Sequence, residues 1–340
     1  MGAFVNFGPV LTSPPPVLCR DVVLWAFLLE ADQTALTGLC QRVFKKNDTI
    51  EVRAIEKSVV LLFGDLGWVG NPNVNVGVTE KQVLIHIFVH YKVGSASGYA
   101  YFTPYIWVDN PLSMAGGREV WGYPKGLGKL CVPRQASSTG LKLALQTWRG
   151  GLDKGGVWQP DQNQIVVEQQ GVLQPSPVHV LNLWMNQLTC DASKKLLKDQ
   201  LIGRTTEIFL RQFLDVGSSI NSPTTCFQQI LTAEYVPDNS KSLEPALFSN
   251  KFSLTMADFY SAPMVTDLSP RNLSAVPKQP NIFRTTLEGC ARVALPGGFT
   301  LQNPTVLWPK MKAASARQAS RPKRGRSRQH VNNSRFAGTT

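Results

Sequence analysis

Apolar residues follow two rhythms along this chain. From Val22 to Leu29 they run without a break, which reads as a buried strand. Leu36, Leu39, Cys40, Val43 and Phe44 then recur three and four residues apart, which predicts an amphipathic helix over about 33–45 with Asp32 as its N-cap. Val59–Phe63, Val83–Tyr91 and Tyr99–Val108 read as strands, the last two joined as a hairpin by the turn Gly94–Gly98. Residues 111–121 fit a short helix. Leu130–Val132, Leu141–Gln146 and Gln164–Gln169 are further strands, followed by a polar helix near 193–202 and strands near 206–213, 226–235 and 250–258. Many strands with few helices make this an α+β, mainly antiparallel β protein rather than a doubly wound sheet. The organisation expected is an N-terminal segment (1–11), a main domain (12–275), a Pro-rich extension (276–309) and a basic tail (310–340).

Composition narrows the class. Hydrophobic residues at 43% and charged residues at 17% fit a globular protein with a sizeable core. No apolar run approaches the ~20 residues needed to span a bilayer, and no secretory signal is visible, so a cytoplasmic location is expected. Six scattered cysteines without a C-x-x-C pair suggest reduced thiols. The net charge of +12 raises the question of nucleic acid. Nine of those cations lie in 310–340, which has no Asp or Glu, so the rest of the chain carries only +3. The tail has the composition of a solvated, disordered segment and lacks interleaved aromatics for base stacking. No nucleic-acid partner is expected for the core.

The candidate chemistry is a lysine. Lys125 follows the rigid Tyr123-Pro124 step and precedes Gly126 and Gly128, among Val120, Trp121, Tyr123, Leu127 and Leu130. Proline restricts its own φ and the residue before it, while glycine lets backbone approach a ligand. Burial among apolar groups drives a lysine towards its neutral, nucleophilic form. Schiff-base chemistry follows as an expectation. Read by itself, however, such a lysine is more often a solvated loop residue.

The run Val108-Asp109-Asn110, then Gly117-Arg118-Glu119 and Tyr123-Pro124-Lys125-x-Leu127-Gly128, resembles the signature of the acetoacetate decarboxylase family. Weaker similarity extends over roughly 12–275. The resemblance implies a closed or nearly closed β-barrel-like core, homo-oligomers and an imine on Lys125 that withdraws electrons so that a carboxylate leaves as CO2. It implies Glu80 for proton transfer and Arg20 as its charge partner or as a substrate-orienting group. Trp121 and Tyr123 would line the substrate pocket, which has room for a keto acid larger than acetoacetate. Arg118 and Glu119 would be structural, pinning the short helix so that Lys125 enters at a fixed angle. Asp65 is a further acidic candidate.

One departure matters. Family members carry a second lysine directly after the reactive one, and here that position is Gly126. Lys129 would approach only if the turn folded back. The same imine serves aldol, dehydration or cyclisation chemistry on a 2-oxo acid, which stays open as an alternative, as does a non-catalytic small-ligand binder of the same fold. Other chemistries lack their residues. His86 and His90 lie on one face of a predicted strand about 13 Å apart, too far to share a metal. H-E-x-x-H, G-x-S-x-G, Walker and G-x-G-x-x-G patterns are missing, so no metal or nucleotide cofactor is expected.

Overall fold

In the computed structural model the uninterrupted apolar run becomes a strand shared by two cores. The structure describes residues 15–311 apart from 46–47, 74–75, 136–139, 148–161, 215–224, 239–244, 259–262 and 278. The segment 1–11 and the tail from 312 on lie outside the described residues. The elements in order are β1 (Val17–Glu30), α1 (Gln33–Phe44), β2 (Ile50–Asn71), β3 (Val76–Val93), β4 (Ala96–Val108) and α2 (Pro111–Gly116). A π-helical turn (Gly117–Trp121) leads to β5 (Lys125–Leu127), β6 (Lys129–Cys131), β7 (Lys142–Thr147) and β8 (Gln162–Gln170). Then come α3 (Pro177–Gln187), α4 (Asp191–Leu201), β9 (Thr205–Leu214), β10 (Thr225–Pro237) and β11 (Ala246–Ala257). The described chain ends with α5 (Met264–Leu268), β12 (Ser274–Val276), β13 (Gln279–Leu295), β14 (Phe299–Leu301) and β15 (Thr305–Met311).

The architecture is mainly antiparallel β, with 59% of the described residues in strands. Seven strands form a closed ring rather than a regular barrel, in the order β1-β2-β3-β4-β9-β10-β14 and back to β1. Only the β4–β9 contact in that ring is parallel. A wing of antiparallel strands, β13-β11-β8-β7-β6, extends from the edge of β1 opposite β2, the same edge that β14 uses. β1 serves both because it is divided at Asp21, whose φ of 51° breaks the pleat. Val17–Cys19 pair with β14, and Val22–Ala26 pair with β13. Closure needs a very close approach: a Cβ on Gly298 (φ 81°) would overlap the Cys19 carbonyl.

Alternation along β1 sends Trp25, Phe27 and Leu29 into a core shared with α1 and β11, and Leu24, Ala26 and Leu28 into the ring interior. A strand buried on both faces reads as a continuous apolar run, as the sequence pattern had it. Asp32 caps α1, its Oδ1 accepting from Ala35 N at 2.8 Å. α3 and α4 close one side of the ring interior with Trp184, Leu188 and Leu197.

The boundary expected at 275 is corrected. Residues 276–309 form no separate extension: β13 lies between β1 and β11, and β14 completes the ring. Most of the prolines that suggested a spacer stand at or just beyond strand ends, and Pro309 lies inside β15, an edge strand paired only with β10. Helix α3 also escaped the sequence reading, because Pro177 at its first position looks like a break but suits a helix start.

Candidate active site

The chain between β4 and β5 turns back on itself to bring one amine inside the ring. Asn110 caps α2, accepting from Leu112 N (3.0 Å) and Ser113 N (3.2 Å). The helix widens into the π-turn, whose end is set by Gly122 N and Tyr123 N donating to the same Gly117 carbonyl at 3.0 Å. Single π-turns of this kind recur at functional sites. β5 then runs parallel to β4, with Lys125 opposite Ile106. The Lys125 side chain crosses the Gly117 backbone so closely that a Cβ at 117 would lie 2.6 Å from its Cδ.

Lys125 is only 9% exposed and ends in a built environment. Its Nζ lies 3.0 Å from Glu80 Oε1 and donates to Ser113 Oγ at 2.8 Å; the Ser113 hydroxyl in turn donates to Glu80 Oε2. Glu80 is 2% exposed. Asp109 and Asn110 hold Glu80 in place by its flanking backbone. Asp109 Oδ1 accepts from Lys81 N (2.7 Å), and Asn110 Nδ2 donates to the Thr79 carbonyl (3.1 Å). The Asp-Asn pair thus ties the lysine's own turn to the strand that presents its partner.

A second polar set faces the same interior. The Tyr123 hydroxyl donates to Glu207 Oε2 at 2.5 Å and touches the Tyr235 hydroxyl, while its ring packs edge-on to Phe209 and stands 5.8 Å from Lys125 Nζ. His86 Nε2 is 2.8 Å from Glu207 Oε1, close enough for a charge contact but not aligned as a hydrogen bond. His86 Nδ1 is 2.9 Å from Gln200 Nε2. Burial first, then the Glu207 charge, holds the phenols of Tyr123 and Tyr235 well above the usual tyrosine range. Cys19 completes the seam. Burial and then the Glu80 charge push its thiol up, with Lys125 pulling the other way, so the thiol senses both members of the ion pair.

The structure brings together four of the sequence candidates, Lys125, Glu80, Trp121 and Tyr123, all buried, and leaves the others outside. Arg20 is exposed and lies over the Trp68 ring at 5.2 Å, so it is neither Glu80's partner nor turned inward. Alternation explains the miss, because Cys19 takes the inward position one residue earlier. Arg118 and Glu119 are exposed, and among the described residues neither side chain makes an ion pair or hydrogen bond. They do not pin the helix; the Gly117 carbonyl and the Asn110 cap set the turn. Asp65 pairs with Arg134 at 2.5 Å, and its strand parity puts it with Phe63 on the face away from Glu80. Lys129 is exposed on β6 and does not fold back.

Ser113, His86, Gln200, Glu207 and Tyr235 were not singled out as site residues. A signal existed for some of them. Glu80, Gln82 and His86 occupy alternate positions with Leu84 and Phe88, and Glu207 alternates with Phe209, so each shares a face with core residues. Ser113 and Gln200 carried no such signal.

A family model described as acetoacetate decarboxylase matches residues 63–157, the segment that contains Glu80, Ser113 and Lys125. No functionally curated protein matches at the sequence level. Among solved structures, an acetoacetate decarboxylase from Legionella pneumophila is similar with a TM-score of 0.53 at 15% identity, covering 91% of this chain and 92% of that one. A second acetoacetate decarboxylase structure has a TM-score of 0.50 at 16% identity, covering 89% and 93%. An acetoacetate decarboxylase-like enzyme from Sphingomonas wittichii has a TM-score of 0.50 at 11% identity, covering 91% and 100%. Residues 63–157 thus match the acetoacetate decarboxylase family model, and the described chain shares the fold of acetoacetate decarboxylases and acetoacetate decarboxylase-like enzymes.

Proposed function

We propose that the protein is a cofactor-free lyase that decarboxylates a β-keto acid through an imine on Lys125. The observation that carries this reading is the enclosed amine, 3.0 Å from a buried carboxylate and 2.8 Å from a hydroxyl. Glu80 takes a proton from the ammonium, either directly or through Ser113, and frees the nitrogen lone pair. The amine attacks the ketone carbon, and the carbinolamine loses water with a proton returned from Glu80. The resulting iminium accepts the electron pair of the breaking C–COO⁻ bond, CO2 departs and an enamine remains. Glu80, a carboxylate again after water has left, takes a proton from solvent and passes it to the enamine carbon, and hydrolysis of the iminium by water releases the ketone and restores the ammonium. Glu80 is the proton carrier within reach for each of these transfers.

A second reading keeps the imine and changes the bond that breaks. A Cβ on Gly126 would lie 2.9 Å from Trp107 Cδ1, so the Trp107 indole stands where a lysine side chain would begin. That observation favours aldol, dehydration or cyclisation chemistry on a 2-oxo acid, with Tyr123 supplying protons. One experiment separates the readings. The protein is incubated with panels of β-keto and 2-oxo acids and reduced with borohydride, the modified residue is mapped by mass spectrometry, and CO2 is measured in parallel. An adduct on Lys125 with CO2 release from β-keto acids supports the first reading. An adduct without CO2 supports the second. Equal trapping by Lys125→Met overturns both.

A further inference from the structure

The ring interior contains a cavity of about 40 Å³ that the imine chemistry leaves without a task. Leu24, Leu62 and Phe299 line one side; His86, Gln200 and Glu207 line the other. That volume holds about three water-sized groups at roughly 10–15 Å³ each. The polar side is incomplete. Gln200 is 4% exposed, its Nε2 is engaged with His86, and its Oε1 is buried with no hydrogen-bond partner among the described residues. A buried carbonyl oxygen left bare is unfavourable, and Gln200 is one of the residues that line the cavity, so a donor on an occupant would satisfy it. The missing partner is a donor. Besides these, the lining has the uncharged polar side chains of Gln82, Thr205 and Tyr235 and is otherwise apolar, and Glu207 is already in contact with Tyr123 and His86, so nothing there invites a second anion.

The cavity lies next to the reactive amine. Gln82 lines it and is the next residue after Glu80 on the same face of β3, about 7 Å along the strand. Tyr235 borders it and touches Tyr123, whose ring stands 5.8 Å from Lys125 Nζ.

We propose that this cavity is the distal subsite of the Lys125 site and takes the uncharged, hydroxyl-bearing end of a β-keto acid, with Gln200 Oε1 as the acceptor. The inference rests on the imine reading and adds the substrate class to it. A site built to hydrogen-bond a hydroxyl discriminates strongly against the analogue lacking it, because the buried acceptor then stays unpaired.

The test compares 7-hydroxy-3-oxoheptanoate with 3-oxooctanoate, which has a methyl group in place of the hydroxyl. In the wild type, borohydride trapping at limiting concentration should favour the hydroxy acid by about tenfold or more, and Gln200→Leu should abolish or reverse that preference. Binding of the same pair is measured by calorimetry on Lys125→Met/Glu80→Gln, which forms no imine and removes both halves of the ion pair together. The same preference should persist there. If that variant or the wild type binds the methyl compound equally well or better, the subsite proposal falls. A preference unchanged in a folded Gln200→Leu protein also overturns it. If trapping fails in the wild type while the binding preference holds, the imine reading fails and the subsite stands.

Discussion

The ring encloses two polar sets built in opposite ways. Lys125, Glu80 and Ser113 come from one stretch of 46 residues, and their contacts are charge-assisted: a buried ammonium, a buried carboxylate and a bridging hydroxyl. Tyr123, Glu207, His86, Tyr235 and Gln200 come from four strands and turns plus a helix spread across the chain, and they connect mostly through phenols, a ring nitrogen and an amide. The first set has each polar atom engaged by another member. The second leaves Gln200 Oε1 bare beside a cavity. The contrast teaches a division of labour: a self-satisfied cluster suits proton transfer, and an unsatisfied one suits recognition.

The strongest way to break the contrast is at the amine. Lys125→Met should abolish borohydride trapping and turnover, whereas His86→Gln should leave trapping measurable; equal losses would erase the distinction. The single Lys125 substitution leaves Glu80 buried without its cation, so it should also cost about 3–5 kcal/mol of stability, read by urea unfolding. Glu80→Gln comes next, with turnover reduced by about 10²–10⁴-fold and the fold retained. Gly117→Ala should follow with about a 10²-fold loss, because the new Cβ would lie 2.6 Å from Lys125 Cδ and displace the amine. Circular dichroism unchanged from wild type would assign that loss to position rather than unfolding. Tyr123→Phe, in the second set, should reduce turnover less than about tenfold. It should still cost about 1–3 kcal/mol by stripping Glu207 Oε2 of its donor.

The smallest effect per group is set by three buried thiols, Cys19 in the ring interior and Cys40 and Cys290 in the other core. Burial pushes Cys40 up to about 12 and Cys19 and Cys290 higher still, whereas an unfolded thiol titrates near 8.5. Between those values the folded state retains protons that the unfolded state has lost. Stability contributed by the protonated thiols is therefore present below about pH 8.5 and is lost as pH rises towards 12. The loss is about 1.4 kcal/mol per pH unit per thiol. Tm should fall steadily from pH 8.5 to 10.5, and a flat profile would refute this account.

Much of the first set was legible in the chain. Lys125 sits in one turn with Trp121 and with Tyr123 of the second set, and Glu80 lies on the first strand of a hairpin whose pairing follows from the Gly94 turn, so local rules place them near one another. Arg20 was misread because its parity depends on the bulge at Asp21, and a single positive φ there changes which neighbour faces inward. Arg118 and Glu119 were misread because charge near a reactive turn suggests pairing, while the backbone carbonyl of Gly117 does that work. The segment 276–309 was misread because prolines at strand ends resemble prolines in a linker.

The sequence by itself determined the strand-rich class, the turn that carries the lysine and the apolar face against which it is buried, because these depend on alternation and on residues close in the chain. Only the tertiary structure decided that β14 meets β1 to close the ring, that Glu207 and Gln200 meet His86, and that Tyr235 meets Tyr123. Those contacts join positions more than a hundred residues apart, and local periodicity carries no information about which distant strand will lie opposite another.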